Sequence, residues 1–388
     1  MKQWNKKELT ILEKDFSKVR NIDIAQKLNR SCESIRKKAK RLCLKKEYHS
    51  KNKKEYHLFK KTKGIVSIKD LINAYSKNDQ KIAFDYFNVN KLREEGNSIK
   101  RISSSLDLTS GQVTNHLYKQ SSKALRCVRY LIKNKFLPFN IRNNNKTKIV
   151  LRLLASSFCD SHIDAYFHSY TFAGKKKEVY QFYKEIKGEF PFLNLKVKKY
   201  QTNGILNNRP IKGITYVICI QNSYFCRFLF CLGAPIGNKV FQPLNLPPII
   251  KYLPRNLKAT FIGQMYSDEG TKLIHYPNKN GNLCFKMSKV NEFRDQHIDF
   301  LEEIRMIFSE FNILTSKISI HKNTYIKSNG SVMLSAYFYI STRRENLINL
   351  LNNIPLYHEE KFLSIKWAIN KLPTKTSFSH FIFFNTFN

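Results

Sequence analysis

Two acidic side chains close two matched apolar stretches. Asp160 follows Val150-Leu151-Arg152-Leu153-Leu154-Ala155-Ser156-Ser157-Phe158-Cys159, and Glu269 follows Phe261-Ile262-Gly263-Gln264-Met265-Tyr266-Ser267-Asp268. A small residue comes next each time, Ser161 and Gly270. The stretches read as helices, which puts each carboxylate at a helix C-terminus. There the helix dipole opposes a negative charge unless something compensates it, so the repeated arrangement argues for a task. Hard carboxylate oxygens suit Mg2+. A divalent cation lowers the pKa of an attacking water and shields charge developing on a phosphate, and a nearby lysine adds to that shielding. The chain carries Lys+Arg 68 against Asp+Glu 29, a net charge of +39. A protein so basic needs a polyanion, and phosphate contacts by Lys and Arg release counterions and drive binding to nucleic acid. The expected chemistry is metal-assisted hydrolysis of a phosphodiester.

The elements that must position the acids come in two similar sets. Strand-like stretches follow each acid, at Ala165 to Ala173 and at Lys272 to Ser288. An amphipathic helix comes next, with Val179, Phe182, Tyr183, Ile186 and Phe190 at helical spacing in the first set. Ile298, Leu301, Ile304, Ile307, Phe308 and Phe311 repeat that spacing in the second. Two strands follow, Lys196 to Tyr200 with Thr215 to Ile220, and Lys317 to Lys322 with Ser335 to Ser341. A closing helix ends each set, near Asn222 to Leu232 and Arg343 to Asn352. The order αββαββα thus occurs twice and predicts an α+β fold with a pseudo-twofold duplicated domain. Alternation places Lys196 and Lys198, and Lys317 and Lys322, on polar strand faces, where they are candidates for contact with the DNA major groove.

The stretches Leu153-Leu154-Ala155-Ser156-Ser157-Phe158-Cys159-Asp160-Ser161 and Ile262-Gly263-Gln264-Met265-Tyr266-Ser267-Asp268-Glu269-Gly270 resemble the two motifs of the LAGLIDADG homing endonucleases. The acids are 109 residues apart (269 − 160). Gly233-Ala234-Pro235-Ile236-Gly237-Asn238-Lys239 and Ile354-Pro355-Leu356-Tyr357-His358-Glu359-Glu360-Lys361 extend the resemblance. It implies a single-chain, site-specific endonuclease that makes a staggered break in double-stranded DNA at a long asymmetric site, an activity of mobile elements and intron homing. It also implies motif helices packed side by side, with Mg2+ held by Asp160 and Glu269. Asp268 is the neighbouring candidate, but the residue directly before Gly270 fits the motif. Lys272 stands where related enzymes carry a basic active-site residue, and Lys289 is a second candidate. Two departures carry expectations. Ser161 replaces a glycine, so its Cβ is expected to strain the helix end. Gln264 replaces the small residue of the helix crossing, so packing there is expected to loosen or adjust.

Residues 1–150 hold 37 basic and 13 acidic residues, the denser share of the charge. In residues 1–45, Trp4, Leu9, Leu12 and Phe16 open one helix, Ile24 and Leu28 mark a second, and Ser31 caps a third that carries Ile35, Ala39 and Leu42 inward. Arg36, Lys37, Lys40 and Arg41 face outward, as a major-groove reader requires. This module resembles the Myb/SANT-like helix-turn-helix family. Residues 46–66 read as a basic linker with a short direct repeat, Lys-Lys-Glu-Tyr-His. Residues 67–136 read as a second helix-turn-helix-like module. Ser98 and Thr109 cap its helices, Ile99, Ile102, Leu106, Leu108, Val113 and Leu117 form its framework, and Gln112, Asn115 and Lys119 face outward toward DNA. Lys123 to Arg142 read as a basic connector. Residues 137–245 and 246–388 hold the two LAGLIDADG halves.

Hydrophobic residues at 42% exclude a disordered polycation. No apolar run reaches a membrane span and no secretory signal opens the chain, so a soluble, intracellular monomer without membrane partner is expected. The Cys 8 show no metal-ligand spacing and are expected as reduced thiols. Two alternatives to DNA cleavage stand beside it: an intron-encoded maturase that binds RNA, and a catalytically inactive DNA-binding regulator.

Overall fold

A computed structural model places residues 4–16, 24–25, 27–42, 44, 65–66, 68–73, 75–118, 123–137, 139–141, 144–206, 209–276, 279–321, 325–326 and 330–371. The chain forms two compact units, Met1–Lys61 and Thr62–Asn388. Lys119, Lys322, the side chains of Arg36 and Lys40, and nearly all of the linker lie outside the described residues.

The first unit contains α1 (Lys6–Phe16) and α2 (Cys32–Arg41). Asn5 and Glu8 cap α1 reciprocally: Glu8 N donates to Asn5 Oδ1 at 2.9 Å and Asn5 N donates to Glu8 Oε2 at 3.0 Å. Ser34 N donates to Ser31 Oγ at 3.1 Å, the cap the spacing predicts. Leu12, Phe16, Ile24, Ala25, Leu28, Ile35 and Ala39 form one buried cluster. The Arg30 guanidinium lies 4.3 Å over the Trp4 ring and donates to both oxygens of Glu8 at 2.9 Å. That clamp ties the entry of α1 to the approach to α2. Lys37 and Arg41 remain exposed on the outer side of α2.

The second unit begins with β1 (Ile65–Val66), α3 (Ile68–Asn73), α4 (Lys77–Glu94), α5 (Ile99–Leu106), α6 (Ser110–Tyr118), α7 (Lys123–Lys133) and β2 (Phe139–Asn140). Val89, Ile102 and Val113 are buried at the centre of α4, α5 and α6, with Ile99, Leu106, Leu108 and Leu117 around them. Ser98 Oγ accepts from Arg101 N at 3.3 Å. Asp107, at φ 52°, ends α5 in the left-handed region and turns the chain toward Thr109. The connector expected at Lys123 to Arg142 is corrected by the structure. Its first part is α7, which buries Ala124, Leu125, Cys127, Val128 and Leu131. The basic residues between them had masked an amphipathic helix.

The body follows as α8 (Asn144–Phe158), β3 (His162–Ile163), β4 (Tyr170–Gly174), α9 (Lys176–Glu189), β5 (Leu195–Leu206), β6 (Arg209–Ile220) and α10 (Ser223–Cys231). It continues as α11 (Arg255–Glu269), β7 (His275–Tyr276), β8 (Lys279–Asn280), β9 (Leu283–Val290), α12 (Arg294–Glu310), β10 (Ser319–Ile320), β11 (Tyr325–Ile326), β12 (Val332–Ile340), α13 (Arg344–Asn353) and α14 (Glu359–Lys371). The architecture is α+β. One antiparallel sheet has the order β3-β4-β6-β5. In the other, β12 pairs from Met333 to Ile340 with β9, and with β10 and β11 on its opposite edge. The β7–β8 hairpin, β11 and α14 are additions to the expected order. Phe158 stacks on Phe300 at 5.7 Å and meets the edge of Phe261 at 6.4 Å, so one aromatic cluster joins both halves. Phe136 sits among the rings of Phe139, Phe190, Phe192, Phe225 and Phe228. It anchors the segment after α7 to the first half of the body. Replacing Phe136 with Ala is expected to destabilise the second unit by ~3–5 kcal/mol. A urea titration of the full chain measures this, and a midpoint equal to wild type contradicts it.

Candidate functional site

The two motif helices, α8 and α11, pack against each other in the middle of the body. Arg152 Nε donates to Gln264 Oε1 at 3.0 Å, and the Cys159 thiol donates to the carbonyl of Met265 at 3.9 Å. Gln264 is fully buried, and its amide donates to Asp268 Oδ1 at 2.8 Å. Of the loosening or adjustment expected at Gln264, the structure shows an adjustment, a polar bridge across the crossing. Gly263 meets a different neighbour: a Cβ there would lie 2.2 Å from the carbonyl of Pro355. Ser161 does not take a positive φ. Its hydroxyl pairs with Ser156 Oγ at 2.6 Å and its N–H closes on the Ser156 carbonyl at 2.9 Å. The strain expected of its Cβ is absent. Gly270 is required by proximity, because a Cβ there would lie 2.5 Å from Tyr266.

This packing brings Asp160 and Glu269 into one electrostatic neighbourhood. Burial pushes the Glu269 carboxyl up to about 8, with the Asp160 charge adding to the rise and Lys239 opposing it. Asp160 is exposed, and partial desolvation beside the packed helices raises its carboxyl against the pull of Lys239 and Lys361. Asp268 turns away from solvent. Burial pushes its carboxyl to about 7, Asp160 raises it further, and hydrogen bonds from Ser156 and Gln264 oppose the rise. One of its oxygens, Oδ2, is buried without a hydrogen-bond partner among the described residues.

Two lysines that the sequence reading did not single out complete the site. Lys239 Nζ donates to the carbonyls of Ser161 at 2.7 Å and Ser157 at 3.4 Å. Lys361 Nζ donates to the carbonyls of Ser267, Asp268 (3.3 Å) and Tyr266 (3.5 Å). Each lysine thus satisfies carbonyls at the end of one motif helix and places a positive charge against the negative end of its dipole. This is the compensation that a terminal carboxylate requires. A signal was present: both lysines close proline-containing segments, Gly233 to Lys239 and Ile354 to Lys361, that follow the closing helices.

The other predicted lysines lie elsewhere. Lys289 is buried in β9, and its amine donates to the carbonyls of Lys239 and, at 3.1 Å, Gln242. Burial pushes it down to about 7. It holds the backbone that carries Lys239, and the Glu269 charge still acts on it. The strand alternation shows why, because Leu283, Phe285 and Met287 place Lys289 on the same inward face. Lys272 is exposed, with its amine 3.9 Å from Glu360. Lys196, Lys198 and Lys317 are exposed. Gln112 and Asn115 are exposed, but Gln112 Oε1 accepts from Thr109 N at 2.7 Å while Thr109 Oγ1 accepts from Gln112 N at 3.2 Å. Gln112 therefore serves a capping box on α6.

Among the described residues, no three His, Cys, Asp or Glu side chains form a ready metal cage. Asp160 and Glu269 still fit Mg2+, which takes one or two carboxylates and fills its remaining positions with water and substrate phosphate oxygens. The mutual strain of these like charges is what a divalent cation relieves. His358, pushed down to about 4 mainly by burial, is neutral near pH 7 and supplies no such charge.

No family model matches the chain. Among curated proteins it is similar to the replication factor C small subunit of Methanocaldococcus jannaschii, 34% identical over 110 residues, which are 28% of this chain and 6% of that protein. It is also similar to the tRNA-splicing ligase RtcB of the same organism, 27% identical over 199 residues, 48% of this chain and 20% of that one. For the DNA-directed RNA polymerase subunit Rpo1N the figures are 24% over 196 residues, 42% and 14%. The chain spans at most 20% of the length of these three relatives. Among solved structures it is similar to the homing endonuclease I-WcaI bound to its DNA recognition sequence, with a TM-score of 0.35 and 16% identity, covering 63% of this chain and 93% of that one.

A carboxyl raised in the fold keeps a proton that the unfolded chain has already released. Between its ordinary range near 4.5 and its folded value of about 8, the fold therefore loses stability as pH rises. Glu269→Gln removes that loss. Without divalent cations, its melting temperature relative to wild type is expected to climb from pH 5 to pH 8.5, as read by scanning fluorimetry. Parallel pH profiles contradict the burial of this carboxyl.

Proposed function

We propose that the chain is a Mg2+-dependent, site-specific endonuclease for double-stranded DNA, of the LAGLIDADG type. The observation that carries this reading is the convergence of Asp160 and Glu269 at the ends of paired helices, with Lys239 and Lys361 beside them. Mg2+, when bound, supplies a Lewis acid that activates water and shields the phosphate in hydrolysis. Asp160 and Glu269, from opposite helices, would hold the cation. Lys239 and Lys361 keep the helix ends in place and set positive charge next to the scissile phosphate. Lys289 fixes the loop of Lys239 from beneath. Exposed Lys196, Lys198 and Lys317 meet backbone or bases, and the two helical modules add affinity through Lys37, Arg41 and Asn115.

The element order αββαββα on both sides of α11 supports the duplicated reading, with the second half enlarged by β7–β8, β11 and α14.

The reading is tested with the purified chain and the DNA that flanks its gene, joined as if the gene were absent. A discrete double-strand cut with Mg2+ is expected, and Ca2+ in its place should leave the DNA bound and whole. Asp160→Asn or Glu269→Gln should lower cutting by more than ~100-fold, beyond the loss typical of residues that merely support a ligand, with binding retained. Normal cutting by either variant overturns the site. Binding without any cut shifts the reading to a regulator, and tighter binding to RNA of the same locus shifts it to a maturase. For the first module, Lys37→Gln with Arg41→Gln should lower the slope of log binding constant against log salt by about 2, roughly 0.9 for each phosphate that is no longer neutralised. An unchanged slope removes α2 from the DNA interface.

A further inference from the structure

The two sheets carry different chemistry on matched rows of their open faces. His162 and Thr271 each stand two residues past an acid. His162 pairs with Thr171 of β4, Thr171 with Cys219 of β6, and Cys219 with Lys196 of β5. In the other sheet, Thr271 N donates to the carbonyl of Cys284 at 2.8 Å, Cys284 N donates to Thr271 Oγ1 at 2.8 Å, and Cys284 pairs with Tyr339 of β12. These two rows are tied to the chain that leaves each acid. The next row outward is Ala173–Val217–Lys198 in the first sheet and Lys286–Tyr337–Ser319 in the second. Residues between the rows point the other way, onto the helices: Phe172 meets Phe182 of α9 at 4.9 Å, and Phe338 meets Phe308 of α12 at 5.8 Å. Lys198 and Lys286 are exposed, and the other four side chains of the outward rows are half-buried.

We propose that this outward row gives the two half-sites different base preferences: Ala173 and Val217 select a thymine in one, and Lys286 with Tyr337 selects a guanine at the matched position of the other. The inference rests on the double-stranded DNA reading and names what that reading's sheet faces recognise. Two residues along a strand advance about 6.8 Å, which is two base-pair steps of about 3.4 Å. The outward rows therefore address base pairs equally far from the acids on either side. Thymine presents a methyl group in the major groove, and small apolar side chains meet it. A guanine facing Ala173 and Val217 finds no donor there for its O6 and N7 acceptors. Lys286 is such a donor, and the Tyr337 hydroxyl across from it can accept from the amino group of the paired cytosine. The lysines of β5 serve a different end. Lys196 and Lys198 follow one another along the edge strand of their sheet, a line that tracks phosphates. Lys286 stands between Cys284 and Ser288 on its own face of β9.

Selection of bound duplexes from a random pool, by the full chain in Ca2+, reads these preferences. One shared site is expected, with a thymine and a guanine favoured equally far from its centre, one in each half. Lys286→Gln should lower discrimination for the guanine by about tenfold or more at that position alone. Replacing the thymine by deoxyuridine, which lacks only the methyl, should weaken binding of the unaltered chain about fourfold, the worth of one buried methyl. Val217→Asn should bind the two duplexes equally. If Lys286→Gln weakens binding to all sequences alike, the lysine meets a phosphate and the proposal is overturned. Equal binding of thymine and deoxyuridine duplexes by the unaltered chain also overturns it, as do both effects falling in one half of the site. A chain that recovers no duplex at all overturns the DNA reading itself and this assignment with it.

Discussion

The structure depends on one constraint: two helices of unlike sequence are pressed together so that each ends in a carboxylate at the same place. Both the dipoles and the charges oppose this arrangement. Aromatic packing around Phe158, Phe261 and Phe300 forces the proximity. Lys239 and Lys361 make it tolerable, each by hydrogen bonding to the carbonyls where a motif helix ends. What remains is a pair of acids held above their ordinary pKa range.

A second network keeps the helices in register. Arg152 is almost wholly buried between the rings of Phe182 and Tyr357, each 3.8 Å from its guanidinium carbon, and pairs with Glu185. Its remaining reach goes to Gln264, which hands the interaction on to Asp268. A chain of polar contacts therefore runs from α9 through both motif helices to the residue adjoining Glu269. Buried polar groups are tolerable when they are satisfied, and here the unsatisfied atom, Asp268 Oδ2, sits at the end of the chain nearest the acids. Lys289 makes a parallel link from the second sheet to the loop of Lys239. Each half thus holds part of the other's site.

Much of this was legible in the sequence, and the exceptions have specific causes. Periodicity located α9 and α12, and cap residues located α2, α5 and α6, because these signals are local. The long hairpin of β5 and β6 extended past the expected strand ends because register, not composition, sustains it. Lys123 to Arg142 looked polar since basic residues mask an amphipathic face until its period is counted. The inward place of Lys289 was legible in the alternation of its own strand. The capping box of Gln112 was legible too, because Thr109 stands three residues before it. Lys239 and Lys361 escaped because they lie 79 and 92 residues after their acids (239 − 160 and 361 − 269), and only tertiary packing returns them.

The two compact units divide the charge between a small helical module and a body that carries the acids. On the proposed reading, Asp160 and Glu269 act as one cation site and not as two surface carboxylates. Titration of Mn2+, followed by electron paramagnetic resonance on the full chain, tests this most directly. Asp160→Asn and Glu269→Gln are each predicted to abolish the tight Mn2+ signal of the wild-type chain. Retention of wild-type Mn2+ binding by both single variants would contradict it.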